Sequence, residues 1–266
     1  MTSAKKREKK KQETAPEKAS RGLVIQKNEL SRNLRYADRF SVLLPAEKKT
    51  VLYLVSRINK GDTAFVPVRL KYTELAKIIR FGTRGGRQAA GFRRYVEQLS
   101  LKKFWVAGAD GSGSFREYTS WIENPKIYED GTVELCLNRS LAPYLLDAER
   151  SPFTMCRFGY IMNLMKKHSI DLYLYFKSIE NCGRWETFPE CLSGLLGTSS
   201  YDRFSDFEER VLAPSVDEIN EKTDICVDYD VVRSGRRVES VCFTVRGHKN
   251  LLYLQEGAPL PQAGAC

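Results

Sequence analysis

Residues 198–247 constrain the fold of this chain more than any other segment, because one long amphipathic stretch is followed directly by two alternating ones. Apolar residues recur at helical spacing across residues 204–219, which predicts a helix with one buried face. Apolar and polar residues alternate in residues 225–231 and again in 238–245, and Ser234-Gly235 between them marks a tight turn. A long helix joined to a hairpin is the second half of a winged helix, so we predict that fold here.

The face of this predicted helix that points away from the core is polar. Arg203, Asp206 and Arg210 follow one another at spacings of three and four residues, so they lie on one stripe. Tyr201 precedes them near the helix start, the part of such a helix that enters the major groove. Because arginine to guanine is the commonest specific base contact, we predict that these four residues contact base edges. Asp206 would either orient an arginine or accept from a cytosine. Pro214 inside the pattern predicts a kink.

Three arginines surround the predicted turn of the hairpin: Arg233, Arg236 and Arg237. Their clustering at a hairpin tip, directly after an amphipathic helix, predicts that they hold DNA phosphates. We assign the same role to Ser199 and Ser200 ahead of the helix. The alternative is a solvated hairpin end, which a single arginine there would favour.

An earlier part of the chain repeats this order of elements. The patterns predict a helix from Pro45, a short strand over residues 63–69, a helix from Tyr72, a third helix over 87–102 and then further strands. This order predicts another winged helix. Four arginines near the third helix are predicted to contact the DNA backbone, with a solvated basic helix as the alternative: Arg84, Arg87, Arg93 and Arg94.

These patterns predict an α+β protein made of two tandem winged-helix domains with polar ends. The charged N-terminal residues hold almost no apolar side chain, which predicts a disordered basic arm that either contacts DNA or aids solubility. Residues 141–158 are expected to connect the domains. The predicted division is a disordered arm at 1–22, an N-terminal winged helix at 23–150, a C-terminal winged helix with sequence-specific binding at 151–254, and a flexible tail at 255–266.

Positive charge is unevenly distributed along the chain. The formal net charge of the whole chain is +10, of which residues 23–152 carry +8 and residues 153–250 carry −2. A basic balance favours a polyanionic partner, so the first half would supply most of the non-specific attraction to DNA. The second half cannot bind DNA by bulk charge and needs well-placed arginines instead.

The sequence lacks the residues that several functional classes require. No apolar run approaches the roughly 20 residues that span a bilayer, and no apolar N-terminal segment indicates secretion. The seven cysteines include no CxxC pair, and the two histidines lie eighty residues apart, which argues against a metal site. A phosphate-binding glycine loop is also missing, so an ATPase is not expected. We therefore predict a cytoplasmic, non-enzymatic protein with no cofactor, no metal and no membrane association.

The segment from Tyr201 onward closely resembles the C-terminal domain of plasmid replication initiator (Rep) proteins of the iteron-binding type. Val211-Leu212, Glu218-Ile219-Asn220 and Gly235-Arg236 stand where that family has its "VL", "EIN" and "GR" motifs. Upstream, VIQKNELSRNLR from Val24 resembles the opening segment of the family, and LYLYF from Leu172 resembles the family's helix before the strand of its second domain. The resemblance covers residues 24–246, more strongly in the second half.

This resemblance implies that both winged helices engage one directly repeated, double-stranded origin sequence. It implies that monomers initiate replication, whereas homodimers formed through the first domain repress the promoter of the protein's own gene. Predicted strands over 115–124 and 132–138 could pair across the two-fold axis of such a dimer. Host partners, a helicase and the chromosomal initiator, are also implied. A rolling-circle nickase is disfavoured because no two histidines are one residue apart. The alternative is a dimeric winged-helix transcriptional repressor without a replication role, since fold alone does not fix function.

Overall fold

The computed structural model describes residues 14–27, 40, 42–81, 88–110, 113–146, 152–198 and 201–247 of the 266-residue chain. The first part alternates helices with short strands and ends in two hairpins. Its elements are α1 (Ala15–Ser20), β1 (Leu23–Lys27), α2 (Pro45–Val55), β2 (Val68–Lys71), α3 (Tyr72–Ile78), α4 (Gln88–Leu101), β3 (Lys103–Asp110), β4 (Gly113–Ser120), β5 (Ile122–Ile127) and β6 (Thr132–Leu137).

The second part repeats the order of helix, strand, helix, helix and hairpin. Its elements are α5 (Ala142–Leu145), β7 (Phe153–Arg157), α6 (Phe158–Asn163), α7 (Ser169–Ile179), β8 (Arg184–Thr187), α8 (Pro189–Leu196), α9 (Phe204–Phe207), a π turn (Glu208–Leu212), α10 (Ala213–Lys222), β9 (Ile225–Ser234) and β10 (Arg237–Gly247). Short 3-10 turns follow β6 and α7.

Helix α2 is the central helix of the first part, and its sequence fixes where it begins. Pro45 occupies the first turn, and the Glu47 carboxylate accepts a 2.6 Å hydrogen bond from the Leu44 N–H. Its apolar face is buried as the pattern predicts, through Val51, Leu52, Leu54 and Val55. Helix α4 likewise buries the expected Phe92, Val96 and Leu99.

The strands of the first part differ from the prediction in three places. The strand expected over 63–69 forms instead at Val68–Lys71, and the one expected over 115–124 is divided at the buried Trp121 into β4 and β5. Strand β6 lies between β2 and β5 and pairs with both. The expectation that 132–138 pairs across a dimer axis is therefore wrong, because both edges of that strand are occupied. Strand β4 pairs with β3 only, among the described residues.

A three-stranded sheet in the order β8-β10-β9 completes the second part. Strands β9 and β10 form the predicted hairpin, with Val231 opposite Val241 and Arg237 opposite Ser234. The ring of Phe243 on β10 lies 5.0 Å from that of Phe176, which joins the sheet to α7. The sheet thereby holds the helix formed by residues 204–222 and the hairpin in one packed unit.

The first strand of the chain pairs with a strand from the expected connector. Strands β1 and β7 are antiparallel, with Leu23 opposite Arg157 and Lys27 opposite Phe153. The expectation that 141–158 only connects the domains is thus corrected, since these residues include α5 and β7. The pairing crosses the domain boundary expected at 150/151, and that boundary stays a prediction; residues 147–151 lie outside the described residues.

Part of the expected disordered arm is helical. In α1, the Glu17 carboxylate accepts hydrogen bonds from the Thr14 N–H at 2.7 Å and the Thr14 hydroxyl at 2.9 Å. Ala19 is buried, and the helix packs against α3 and α6. The expectation of disorder is therefore wrong for Ala15–Ser20, where a capping box and apolar packing stabilise a helix. Residues 1–13 and the tail at 255–266 lie outside the described residues.

Two adjacent lysines of α2 connect the two parts of the molecule through its interior. Lys48 forms an ion pair of 2.6 Å with Asp171 of α7, and its ammonium also donates to the Lys167 carbonyl at 2.9 Å. Lys49 donates to the Met162 carbonyl at 3.0 Å, and burial lowers its pKa to about 8. Both lysines are essentially inaccessible to solvent.

The same segment is held from the opposite side by α10. The buried Glu218 carboxylate accepts hydrogen bonds from the Met165 N–H at 2.9 Å and the Lys166 N–H at 3.0 Å. Residues 162–171 are thus bound by α2 of the first part and by α10 of the second.

Replacing Lys48 should destabilise the whole chain. Lys48→Met leaves the buried Asp171 carboxylate without its cation, so we expect a loss of about 3–5 kcal/mol in the free energy of unfolding. Urea denaturation followed by tryptophan fluorescence measures this loss. The exposed control Lys77→Met should stay within about 0.5 kcal/mol of the unmodified protein. The double variant Lys48→Met/Asp171→Leu should recover most of the loss, and a single-variant loss below about 1 kcal/mol would contradict the account.

Candidate nucleic-acid interface

The long helix of the second part is not uniformly α-helical. It runs over residues 204–222 and contains a π turn at Glu208–Leu212, in which the Ala213 N–H donates to the Glu208 carbonyl five residues back. Pro214 was expected to kink the helix, and the π turn takes the place of that kink. Pro214 has no N–H for the Arg210 carbonyl four residues earlier, which favours the longer bonding pattern.

The buried face of this helix is formed by the residues that the pattern predicts. Phe207, Val211, Leu212 and Ile219 are buried, and Phe204 packs at the edge of the core. Val211 and Leu212 are neighbours in sequence, and both point inward. That pairing is possible because the π turn shifts the helical phase between them.

Arg203 and Arg210 are both exposed, but they occupy different local structures. Arg203 precedes the helix in an extended conformation, and its carbonyl accepts from the Asp206 N–H at 3.2 Å. Arg210 lies within the π turn. Neither guanidinium has an ion-pair partner within the described part of the chain, and the same holds for the Asp206 carboxylate, so the expected orientation of an arginine by Asp206 is absent from these residues.

Tyr201 lies ahead of the helix rather than on its face. Its side chain is half-buried against the core, with the ring 6.1 Å from that of Phe207 in an edge-on arrangement. Packing of this ring fixes the path of the chain into the helix and thereby the position of Arg203. Ser199 and Ser200 lie outside the described residues.

The hairpin turn presents all three expected arginines to solvent. Gly235 has a φ of +62°, a conformation that a side chain disfavours, which explains the glycine at this position. Arg233 and Arg236 are exposed, and Arg237 lies 3.9 Å from the Glu190 carboxylate at the start of α8. Both of these side chains are more than 70 % exposed (85 % and 74 %), so the pair contributes little to stability. The wing is therefore a cationic tip beside α8.

Two hydrogen-bonded contacts fix the helix against the hairpin. The Asn220 side chain donates to the Val227 carbonyl at 3.0 Å and accepts from the Val227 N–H at 2.7 Å. Nearer the helix start, the Tyr229 hydroxyl donates to the Glu208 carboxylate at 3.2 Å. The sequence analysis did not assign these roles. An asparagine five residues before an alternating strand was the available signal, but several other pairings satisfy it equally well.

In the first part, only two of the four expected arginines fall within the described residues. Arg93 and Arg94 are exposed on α4, opposite the buried Phe92, Tyr95 and Val96. Arg84 and Arg87 lie outside the described residues. Helix α4 is followed by the β3–β4 hairpin, as the recognition helix of a winged helix is followed by its wing.

The β3–β4 hairpin carries an exposed aromatic pair. Trp105 and Tyr118 lie opposite each other on the two strands, with ring centroids 5.0 Å apart and exposed fractions of 46 % and 56 %. Phe115 on the same strand as Tyr118 is 43 % exposed. Adjacent exposed aromatic side chains on a strand with one unpaired edge are typical of a protein-binding surface.

Two other kinds of site are absent from the part of the chain that the structure describes. No three His, Cys, Asp or Glu side chains are placed so that they could hold a metal ion. None of the described helices combines the length and apolar character needed to cross a membrane.

Comparison with protein families identifies both parts of the fold. The family model described as Initiator Replication protein, WH1, matches residues 23–177, and that described as Initiator Rep protein, WH2, matches residues 185–245. WH denotes a winged helix. The predicted α+β fold with two tandem winged-helix domains is confirmed. A search of curated protein sequences finds no match.

Solved structures resemble the chain to different extents. The crystal structure of the Pi initiator protein in complex with iteron DNA aligns with a TM-score of 0.66 and 19% sequence identity, over 86% of this chain and 99% of that one. Domains 2 and 3 of RctB align with a TM-score of 0.41 and 15% identity, over 67% and 72%. The WH1 domain of MSBI1.176, a replication protein isolated from a multiple sclerosis patient, gives 0.29 and 16%, over 39% and 78%.

Proposed function

The chain belongs to the initiator Rep protein family, and we propose that it starts plasmid replication by binding directly repeated origin sequences, the iterons, as a monomer. Family membership supports the role in replication initiation. The Pi initiator, whose fold the chain shares, was crystallised with iteron DNA, which supports the same class of double-stranded ligand here.

One observation carries the assignment of the C-terminal domain. Arg203 and Arg210 are exposed near the start of the long helix, without an ion pair in the described residues, beside a wing that exposes three further arginines. Residues 153–250 have a net charge of −2, so bulk charge cannot attract this domain to DNA. Exposed guanidinium groups at the helix start and the wing can bind DNA nonetheless, because each can meet a phosphate or a guanine.

We assign contacts in two classes. Tyr201, Arg203, Asp206 and Arg210 are proposed to read bases, whereas the remaining predicted residues are proposed to hold phosphates: Ser199, Ser200, Arg233, Arg236, Arg237, Arg84, Arg87, Arg93 and Arg94. Base contacts specify a sequence, and phosphate contacts fix the register of the protein on it.

Alanine substitutions should separate the two classes. On the iteron, Arg203→Ala or Arg210→Ala should weaken binding by about 1–3 kcal/mol, with a much smaller effect on a scrambled duplex. Arg236→Ala should weaken both duplexes equally and reduce the slope of log K against log salt by about 0.9. Titration of both duplexes at several salt concentrations measures these effects.

A matched control is available at the other end of the same hairpin. Arg246 is exposed and forms a 3.1 Å ion pair with Asp228, far along β10 from the wing tip. Arg246→Ala should leave both affinities and the salt slope unchanged. If Arg203→Ala and Arg210→Ala weaken the iteron and the scrambled duplex equally, these arginines contact phosphates and the base-reading assignment fails.

We further propose a homodimer that represses the protein's own promoter through an inverted repeat. The free edge of β4 and the exposed Trp105–Tyr118 pair support this surface, since a two-fold axis would bring two copies of the same edge together. We place the dimer contact on β4 rather than β6, because both edges of β6 are already paired with other strands. If this protein dimerises through that surface and binds only inverted repeats, the alternative is favoured, namely a dimeric repressor without a replication role.

Tyr118→Glu should separate the two states. A carboxylate placed at the two-fold axis should convert dimers to monomers, abolish tight binding to an inverted repeat and leave direct-repeat binding unchanged. Light scattering of the protein, free and with each DNA, measures the stoichiometry. Val66→Ser, at a side chain that is 70% exposed elsewhere on the domain, is the control. A single stoichiometry on both DNAs that Tyr118→Glu does not change would refute the dimer surface.

The remaining functional predictions follow from the same assignment. The family consists of DNA-binding initiators, so we infer a binding role rather than catalysis, with no cofactor, and a cytoplasmic location where plasmid DNA is found. Recruitment of the host helicase and of the chromosomal initiator stays a prediction.

A further inference from the structure

We propose that Pro214 is a specificity-determining positioning residue: through the π turn before it, it sets which side chains of the long helix face the DNA. This inference rests on the proposed DNA binding by that helix. Pro214 is half-buried and lies in the first turn of α10, on the side of the π turn away from the arginines. It would act on bound DNA only through the register of Arg203 and Arg210.

The hydrogen bonds of the helix show that the π turn contains one residue more than an α-helical turn. The Ala213 N–H reaches the Glu208 carbonyl rather than the carbonyl of residue 209, and Pro214 offers no N–H to Arg210. Because an α-helix has 3.6 residues per turn, one extra residue offsets the two halves by roughly 100°. The side chains before the turn therefore face a direction that an uninterrupted helix would not give them.

The apolar residues lie on a narrower face of the helix with this offset than without it. Before it, Phe207 and Val211 are four residues apart and buried; after it, Leu212, Val216 and Ile219 follow at spacings of four and three and are also buried. Each set alone fits a regular helix, but the second is displaced from the first by one residue. Core packing and Pro214 thus favour the same interruption.

The charged residues show what the offset does for the DNA-facing side. In an uninterrupted helix, Arg210, Asp217 and Glu221 would share one stripe, since seven and eleven residues are close to two and three full turns. Both acidic side chains are exposed, and carboxylates on that stripe would repel the phosphates of the groove. The π turn rotates them out of line with Arg210.

The C-terminal half of the helix is the fixed one. Asn220 is bound to the Val227 backbone and Glu218 to the backbone of residues 165 and 166, and the Lys166 ammonium donates to the Pro214 carbonyl. If the π turn relaxed to an α turn, residues 204–210 would be the half that rotates. The arginines would then leave their positions while the acidic residues kept theirs.

A substitution and a compensating deletion test the proposal in the full chain. Pro214→Ala restores the missing N–H, so we expect the ratio of iteron to scrambled-duplex affinity to fall at least tenfold while non-specific binding persists. Deleting Ala213, a half-buried residue between Arg210 and the fixed half, in the Pro214→Ala background removes the extra residue and should restore the ratio. Pro143→Ala, at the first turn of α5, is the control and should change nothing.

The outcomes discriminate between the possible roles of Pro214. Unchanged specificity in Pro214→Ala overturns the proposal, and so does lost specificity that the deletion fails to restore, because Pro214 would then act through stability alone. Should Pro214→Ala fail to fold, the double variant decides: a folded, specific double variant supports the proposal, and an unfolded or non-specific one refutes it. If the unmodified protein itself shows no preference for the iteron, the proposed function has failed instead.

Discussion

The arrangement of the two winged helices depends on the segment of residues 162–171, which α2 binds on one side and α10 on the other. Lys48 and Lys49 of α2 bind Asp171 and the Met162 carbonyl, whereas Glu218 of α10 binds the backbone N–H groups of residues 165 and 166. A buried lysine is costly unless it is paired, so these contacts allow few alternative arrangements of α2 and α7. Two DNA-binding surfaces held in one arrangement can engage adjacent parts of one site without the full entropic cost of two separate encounters.

Within that arrangement, we propose that the two domains contribute differently to DNA binding. The first carries most of the positive charge, which attracts any DNA and depends steeply on salt. The second is slightly acidic and concentrates its cations at the helix start and the wing. In such a domain, the binding energy comes from a few guanidinium groups at defined positions. The register of the helix that positions them therefore determines which DNA sequence is bound.

Much of this structure could be predicted from local patterns. The periodicities around Val51, Phe92 and Phe207 identify the helices and their buried faces, and the turn at Gly235 identifies the wing. The pairing of β1 with β7 could not be predicted, because strands 130 residues apart carry no local signal of each other. Lys48 and Lys49 look like surface residues in sequence, since their burial depends on a carboxylate and carbonyls more than a hundred residues away. The sequence does indicate an interruption of the helix here, because the apolar positions shift by one residue between Val211 and Leu212, shortly before Pro214. The predicted kink at Pro214 captured this interruption only in part.

We propose that one chain binds one repeat with both winged helices, the second of which contacts base edges in the major groove. Chemical interference footprinting of the full chain on a single iteron at one-to-one stoichiometry tests it most directly. We expect methylation of guanine N7 to interfere with binding within one stretch of the major groove. Phosphate ethylation should interfere within that window and also about 10 base pairs, one helical turn, to one side of it. Ethylation interference confined to the window of the methylated guanines, or two symmetric windows that require two chains, would contradict it.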